Sequence, residues 1–429
     1  MKTRHLTIIA LLLCLIPLFR ATAESRSAFP RQLDGTMMPY DFTATDTAVP
    51  WGPELKPVFI NYVARHGARF LSSEHKVAAL RKELAEAAVK ETLTPRGEAF
   101  MKLIAEVERA TADNWGSLNA TGIMEEVNLG KDMAMTCRQL LKEGRIRAEA
   151  TYVPRVVMTM YEFCHELARY SDRLEITTSE GRQNDRLLRF FTTDTAYITY
   201  LDKGPWLTAY VNFFRKTVPA GPAAGMVKGI TDTHRLQKMT MDAYGILQSL
   251  AAAGIEADPS RWFTEDEYRL CWEAANLKHY YQRSESPFSS MPAISARPLL
   301  KALLENTDSV VESRKRLRLA ETVGGKKDPA LPLRAALYFG HAETVIPLFS
   351  IMRLPGCYAP LCNPDDVAKR WKDWQVAPLG ANLMVVCLED SAGRPFVAMR
   401  LNGKWIETGG QKVTGWPELR GIWENLLKK

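Results

Sequence analysis

Beyond residue 23 the chain has no apolar run approaching the ~20 residues that a membrane-crossing helix needs, which argues against a membrane-spanning protein. Cysteine is sparse, seven in 429 residues, and none sits at the paired spacing of a zinc site, so no metal and no cofactor is expected. No internal repeat and no low-complexity tract is present, which removes array and tail architectures. Charge of one sign is not in large excess either: 56 Lys and Arg face 49 Asp and Glu, and no basic stripe interleaves with aromatics. That excludes a nucleic-acid binder and remains compatible with a small anionic partner.

What is there begins with a leader. Lys2, Arg4 and His5 precede an apolar run from Ile8 to Phe19, and Ala21-Thr22-Ala23 offers the small residues a signal peptidase reads. Residues 1–23 therefore read as a signal peptide, and the mature protein as exported, periplasmic or extracellular, with no membrane attachment after cleavage. A lipoprotein reading of Cys14 is disfavoured by bulky Leu13 before it. Losing Lys2, Arg4 and Arg20 and no acid takes the formal charge from +7 to +4. In an oxidising compartment Cys357 and Cys362 are the best-placed pair, close together in a Pro/Gly-rich loop, although connectivity cannot be read from sequence.

The order of elements predicts an α/β fold, a central, mostly parallel sheet flanked by helices. Strand signals lie at 58–64, 146–153, 334–339, 382–389 and 396–401; helical signals lie at 74–90, 94–112, 121–142 and 155–170. Between 171 and 319 strand signals fade and helical ones take over (264–281, 298–306), broken by a Pro/Gly-rich loop or hinge at 219–225. The expected organisation is one α/β domain built from 24–170 and 320–429, with 171–319 as a large all-helical insertion.

The most informative stretch is the apolar run 58–64 leading into Arg65-His66-Gly67-Ala68-Arg69. Two guanidiniums can grip phosphoryl oxygens bidentately, and their charge disfavours a protonated imidazole, leaving a neutral nitrogen free to act as a nucleophile. Gly67 is read as allowing close backbone approach to a ligand. The competing reading is a basic surface turn. Strand 334–339 likewise ends at Gly340-His341-Ala342-Glu343, and Arg155 stands at a third strand-to-helix junction. In open α/β sheets the ligand crevice lies beyond the carboxyl ends of the strands, so these residues converge on one site, although a capping or core histidine also suits His341.

These blocks resemble the histidine acid phosphatase branch of the histidine phosphatase superfamily. Arg65-His66-Gly67-Ala68-Arg69 matches its R-H-G-x-R signature, and the segment around Tyr152-Val153-Pro154-Arg155 resembles the one bearing its third arginine. His341-Ala342-Glu343, Leu187-Leu188-Arg189-Phe190-Phe191 and Leu277-Lys278-His279-Tyr280-Tyr281 are most similar to the multiple inositol-polyphosphate phosphatases. The resemblance implies a secreted phosphomonoesterase acting on inositol polyphosphates. His66 would form a phosphohistidine, Glu343 would be the general acid, and Arg65, Arg69, Arg155 and His341 would hold the phosphoryl group. An acidic working range follows. Leu71, where relatives carry proline, and Thr159, where they carry serine, are departures expected to alter packing rather than chemistry. A broad acid or sugar phosphatase is the alternative, and a non-catalytic polyanion binder a more remote one. Cations for further phosphates are sought among Arg182, Arg186, Arg189, Lys278 and Arg283, each of which could equally be a solvated helix charge. Met158, Met160, Tyr161 and Phe163 read as helix packing.

Overall fold

The structure is a computed structural model that describes residues 29–322, 331–361 and 363–428. The leader, and Cys362 with the expected Cys357 pairing, lie outside them.

Strand β1 (Lys56–Arg65) is buried along almost its whole length, as an apolar run with helices on both faces must be. Helices α1 (Glu74–Val89), α2 (Pro95–Thr111) and α3 (Ala120–Thr136) follow, then β2 (Gly144–Ala150) and α4 (Pro154–Tyr170). Strand β3 (Leu174–Glu180) pairs in parallel with β2. Helices then dominate until β4 (Leu333–Gly340), which leads into the helix Ala342–Ile351; β5 (Asn382–Glu389), β6 (Pro395–Leu401), β7 (Lys404–Ile406) and β8 (Val413–Gly415) complete the sheet. Its order is β3-β2-β4-β1-β5-β6-β7, with β8 also on β6. The half that carries β1 to β4 is parallel, while β5 runs against β1 and β6 against β5.

Successive residues of β1 feed opposite layers. Ile60, Tyr62 and Ala64 pack with Met160 and Phe163 of α4, whereas Phe59 and Val63 join Leu299 and Leu303 of the long helix Arg297–Thr322 and Val345 and Phe349 of the Ala342–Ile351 helix. Asn61, on the second face, is buried yet satisfied: its amide donates to the Leu303 carbonyl and Thr307 Oγ1, both at 3.0 Å.

Several expectations need correction. Residues 171–319 are not all helical, because β3 belongs to the sheet; as its exposed edge it alternates polar and apolar residues and lacks the apolar run that marks buried strands. Helix α3 stops at Thr136 rather than 142, and β2 stops at Ala150 because Pro154 starts α4. The expected hinge at 219–225 contains a helical turn, Gly221–Ala224, whose buried Pro222 and Ala223 sit against the helix Thr233–Leu247; Ala223 N–H donates to Thr240 Oγ1 at 3.3 Å.

Candidate active site

Parallel pairing of β1 with β4 puts Arg65 opposite Gly340, so the residues that follow, His66 and His341, emerge side by side at the carboxyl edge. Their ring centroids are 5.7 Å apart. The His66 N–H donates to the Gly340 carbonyl at 3.1 Å, and the His66 carbonyl accepts from Gly380 N–H at 3.1 Å. The imidazole is pinned as well: Nδ1 lies 2.9 Å from the Gly67 carbonyl. A carbonyl only accepts, so Nδ1 carries the proton and Nε2 keeps its lone pair. Burial, reinforced by Arg155, Arg65 and Arg69, holds His66 well below the usual imidazole range and therefore neutral.

The turn under His66 is braced by side chains from two helices. Gly67 N–H donates to Thr159 Oγ1 at 3.2 Å, so threonine here performs the bracing a serine hydroxyl could. Glu125 accepts from Ala68 N–H at 2.6 Å and Tyr40 N–H at 2.8 Å. Gly67 is required by packing rather than by ligand approach: a Cβ there would lie 2.9 Å from the Gly122 carbonyl and about as close to Glu125 and Glu126.

His341 caps the Ala342–Ile351 helix. Its N–H donates to Thr344 Oγ1 at 3.0 Å, that hydroxyl donates to the Leu188 carbonyl at 2.6 Å, and the ring Nε2 lies 3.2 Å from Thr151 Oγ1. Burial first, then Arg155, Arg189 and Arg65, push it down to about 3 against the pull of Glu343. Glu343, in the first turn of that helix, pairs with Arg283 at 2.7 Å. Burial alone would raise its carboxyl, but Arg283 and His341 outweigh it and hold the group below the carboxylate range.

Arg65 donates through Nη1 to the carbonyls of Thr36 (2.5 Å) and Ala377 (2.7 Å), which fixes its head. Arg69 leans on the Phe70 carbonyl at 2.9 Å, and Arg155 rises from the first turn of α4 behind Pro154. The Nε atoms of Arg65, Arg69, Arg155 and Arg283 are buried without a hydrogen-bond partner among the described residues. Burial lowers Arg65 to about 10 and Arg69 to about 9, leaving both cationic in acid and at neutrality.

His66, Glu343, Arg65, Arg69, Arg155 and Arg283 line one cavity of about 510 Å³, and His341 does not. The structure thus brings together His66, Glu343, Arg65, Arg69 and Arg155, with His341 against the His66 ring. Of the cations sought for further phosphates, Lys278 and Arg283 line the cavity. Arg182 and Arg189 instead stack on the Tyr152 ring, 4.3 and 4.7 Å from its centroid, and neither they nor Arg186 contributes to the wall. Met160 and Phe163 are core, whereas Met158 is 42% exposed and Tyr161 reaches Glu180 at 3.3 Å. Sequence reasoning missed Lys76 of α1, which carries no distinguishing signal, and His279, which lay inside a recognised block. His279 Nδ1 is 2.8 Å from buried Asp373, which also accepts from Trp272 Nε1 at 3.0 Å.

The profile described as Histidine phosphatase superfamily (branch 2) matches residues 58–402. The chain is 22% identical over 264 residues to the human multiple inositol polyphosphate phosphatase 1, an alignment covering 57% of this chain and half the length of that relative. Its fold is similar to the Bifidobacterium longum multiple inositol polyphosphate phosphatase solved with inositol hexasulfate: TM-score 0.74, 15% identity, 91% of this chain and 97% of the other. The phytase from D. castellii superposes with TM-score 0.61 at 16% identity, over 92% and 85% of the two chains.

Proposed function

Because the chain belongs to branch 2 of the histidine phosphatase superfamily, we propose that it is an exported phosphatase that hydrolyses inositol polyphosphates through a phosphohistidine on His66. The observation that carries this reading is a neutral, oriented imidazole set in a cavity that also holds Arg65, Arg69, Lys76, Arg155, Lys278 and Arg283. A single phosphate engages few cations; six around one cavity suit a substrate with several. The related enzyme solved with inositol hexasulfate supports an anionic ligand of that size.

In the proposed reaction His66 Nε2 attacks phosphorus in line, the P–N bond forming as the ester P–O bond breaks. Arg65, Arg69, Arg155 and His341 hold the equatorial oxygens while charge redistributes. Glu343 gives its proton to the departing alkoxide, and the resulting carboxylate then takes one from the water that cleaves the phosphohistidine. In the free site Glu343 is ionised, held by Arg283. Arriving phosphates draw Arg283 away and place negative charge beside the carboxyl, which raises it toward protonation, most readily in acid. Export rests on the leader, residues 1–23.

The test is phosphate release from inositol hexakisphosphate by the mature protein in chelator at mildly acidic pH, beside His66→Ala and a simple monoester. Release that the substitution abolishes is expected. Activity on the monoester alone would make the protein a general acid phosphatase, and none on either would leave a polyanion binder.

A further inference from the structure

The cavity is lopsided. Every cation in its wall comes from the end of β1 and the turn after it, from α1, from α4 or from the helix Glu265–Arg283. The helix Thr233–Leu247 supplies none; it contributes Met241, Asp242, Gly245 and Ile246. Met241, Asp242 and Gly245 continue the exposed stripe of this helix, which holds His234, Arg235 and Lys238 in its first turns, and at its C-terminal half that stripe lines the cavity.

Gly245 is the odd residue. A glycine inside a helix weakens it relative to alanine, and usually a positive φ or a close neighbour explains its presence. Neither holds here: Gly245 is not among the glycines with positive φ, and a Cβ built on it meets nothing within 4 Å. The space that Cβ would enter belongs to the cavity. The Gly245 carbonyl already accepts from Ser249 Oγ at 3.0 Å, so the bare backbone there is satisfied without a ligand.

We infer that this helix face is the specificity wall of the site, with Gly245 the position whose missing side chain makes room for the body of a multiply phosphorylated ring. The inference rests on the functional reading above and adds a residue to it. The phosphates nearest His66 are gripped on the cationic side; the rest of the ring lies toward the cation-free wall, in the room left at Gly245. A small monoester held by Arg65, Arg69 and Arg155 does not reach this wall.

The experiment replaces Gly245 with Ala and with Gln, both better helix formers, and compares kcat/KM for inositol hexakisphosphate and for p-nitrophenyl phosphate, with melting temperature recorded. Gly245→Gln is expected to lower the hexakisphosphate value about tenfold and to leave the monoester value within about twofold, with Gly245→Ala between it and the parent and both melting at or above the parent. If the parent hydrolyses hexakisphosphate and both variants keep its ratio of activities, the inference is overturned and the functional reading stands. Equal losses on both substrates also overturn it. A parent active on the monoester alone defeats the functional reading and this inference together. Should Gly245→Gln fail to fold, the Gly245→Ala ratio decides.

Discussion

Glu126 lies on the buried face of α3, under the turn that carries His66, with no solvent exposure and neither carboxyl oxygen hydrogen-bonded among the described residues. Burial, with Glu125 beside it, raises its carboxyl well above the usual range; the Tyr62 hydroxyl, also buried and unpaired, faces it. In the unfolded chain the same group titrates near ~4.3. Below that pH both states are protonated and the burial carries no ionisation penalty. Above it the unfolded chain releases its proton while the folded protein keeps one, so stability falls by about 1.4 kcal/mol per pH unit until the folded group itself ionises. Glu126→Gln removes this term. The amide shifts the baseline by a constant, but the stability difference between variant and parent should move in the variant's favour by about 1.4 kcal/mol between pH 5 and pH 6. Urea unfolding at the two pH values reads it directly. A difference that stays the same at both would show that Glu126 is ionised in the fold and would refute the reasoning.

Gly67→Ala forces a methyl against the Gly122 carbonyl and should cost about 1–3 kcal/mol in denaturant unfolding, with activity lost through displacement of His66. Thr159→Val leaves the buried Gly67 N–H without its acceptor; a loss of about 1–3 kcal/mol is expected, with kcat falling more than KM changes. Arg283→Leu removes the partner that depresses Glu343. Under the proposed mechanism Glu343 must be protonated to act, and that form is lost as pH rises through its pKa, so the alkaline limb of kcat/KM should shift to higher pH, while KM for a polyphosphate rises. An unmoved limb would detach Arg283 from the proton donor. Asp242→Asn removes the carboxylate from the wall that carries no cation and should lower KM for inositol hexakisphosphate without changing that of a monoester.

The strands that carry the site were legible because a buried strand covered on both faces must be nearly all apolar, and 58–64 and 334–339 are, but for Asn61 and the leading Arg334. His66 and His341 were legible for the same reason, since each follows directly where such a run stops, whereas Arg155 was placed by its strand-to-helix junction. Strand β3 was not, because an edge strand half in water resembles any polar segment. Within the site, the charged groups next to the signature residues could be placed, but the Arg283–Glu343 pair joins residues far apart in the chain and Lys76 sits on an ordinary helix face. Gly67 was misread because a glycine announces closeness without saying to what; the neighbour is α3. Composition also misled at 219–225, where proline at the start of a helical turn serves the turn instead of breaking it.

Strand β4 lies between β1 and β2, hydrogen-bonded to both, yet it follows them by almost the entire helical region. As the chain folds, the neighbouring edges of β1 and β2 must therefore stay unpaired with each other until residues 333–340 fill the gap. His66 gains its partner His341 in the same event. A product ending before Leu333 lacks the strand that joins β1 to β2 and, with it, His341 and Glu343, so the gap in the sheet and the gap in the candidate site are filled by the same segment.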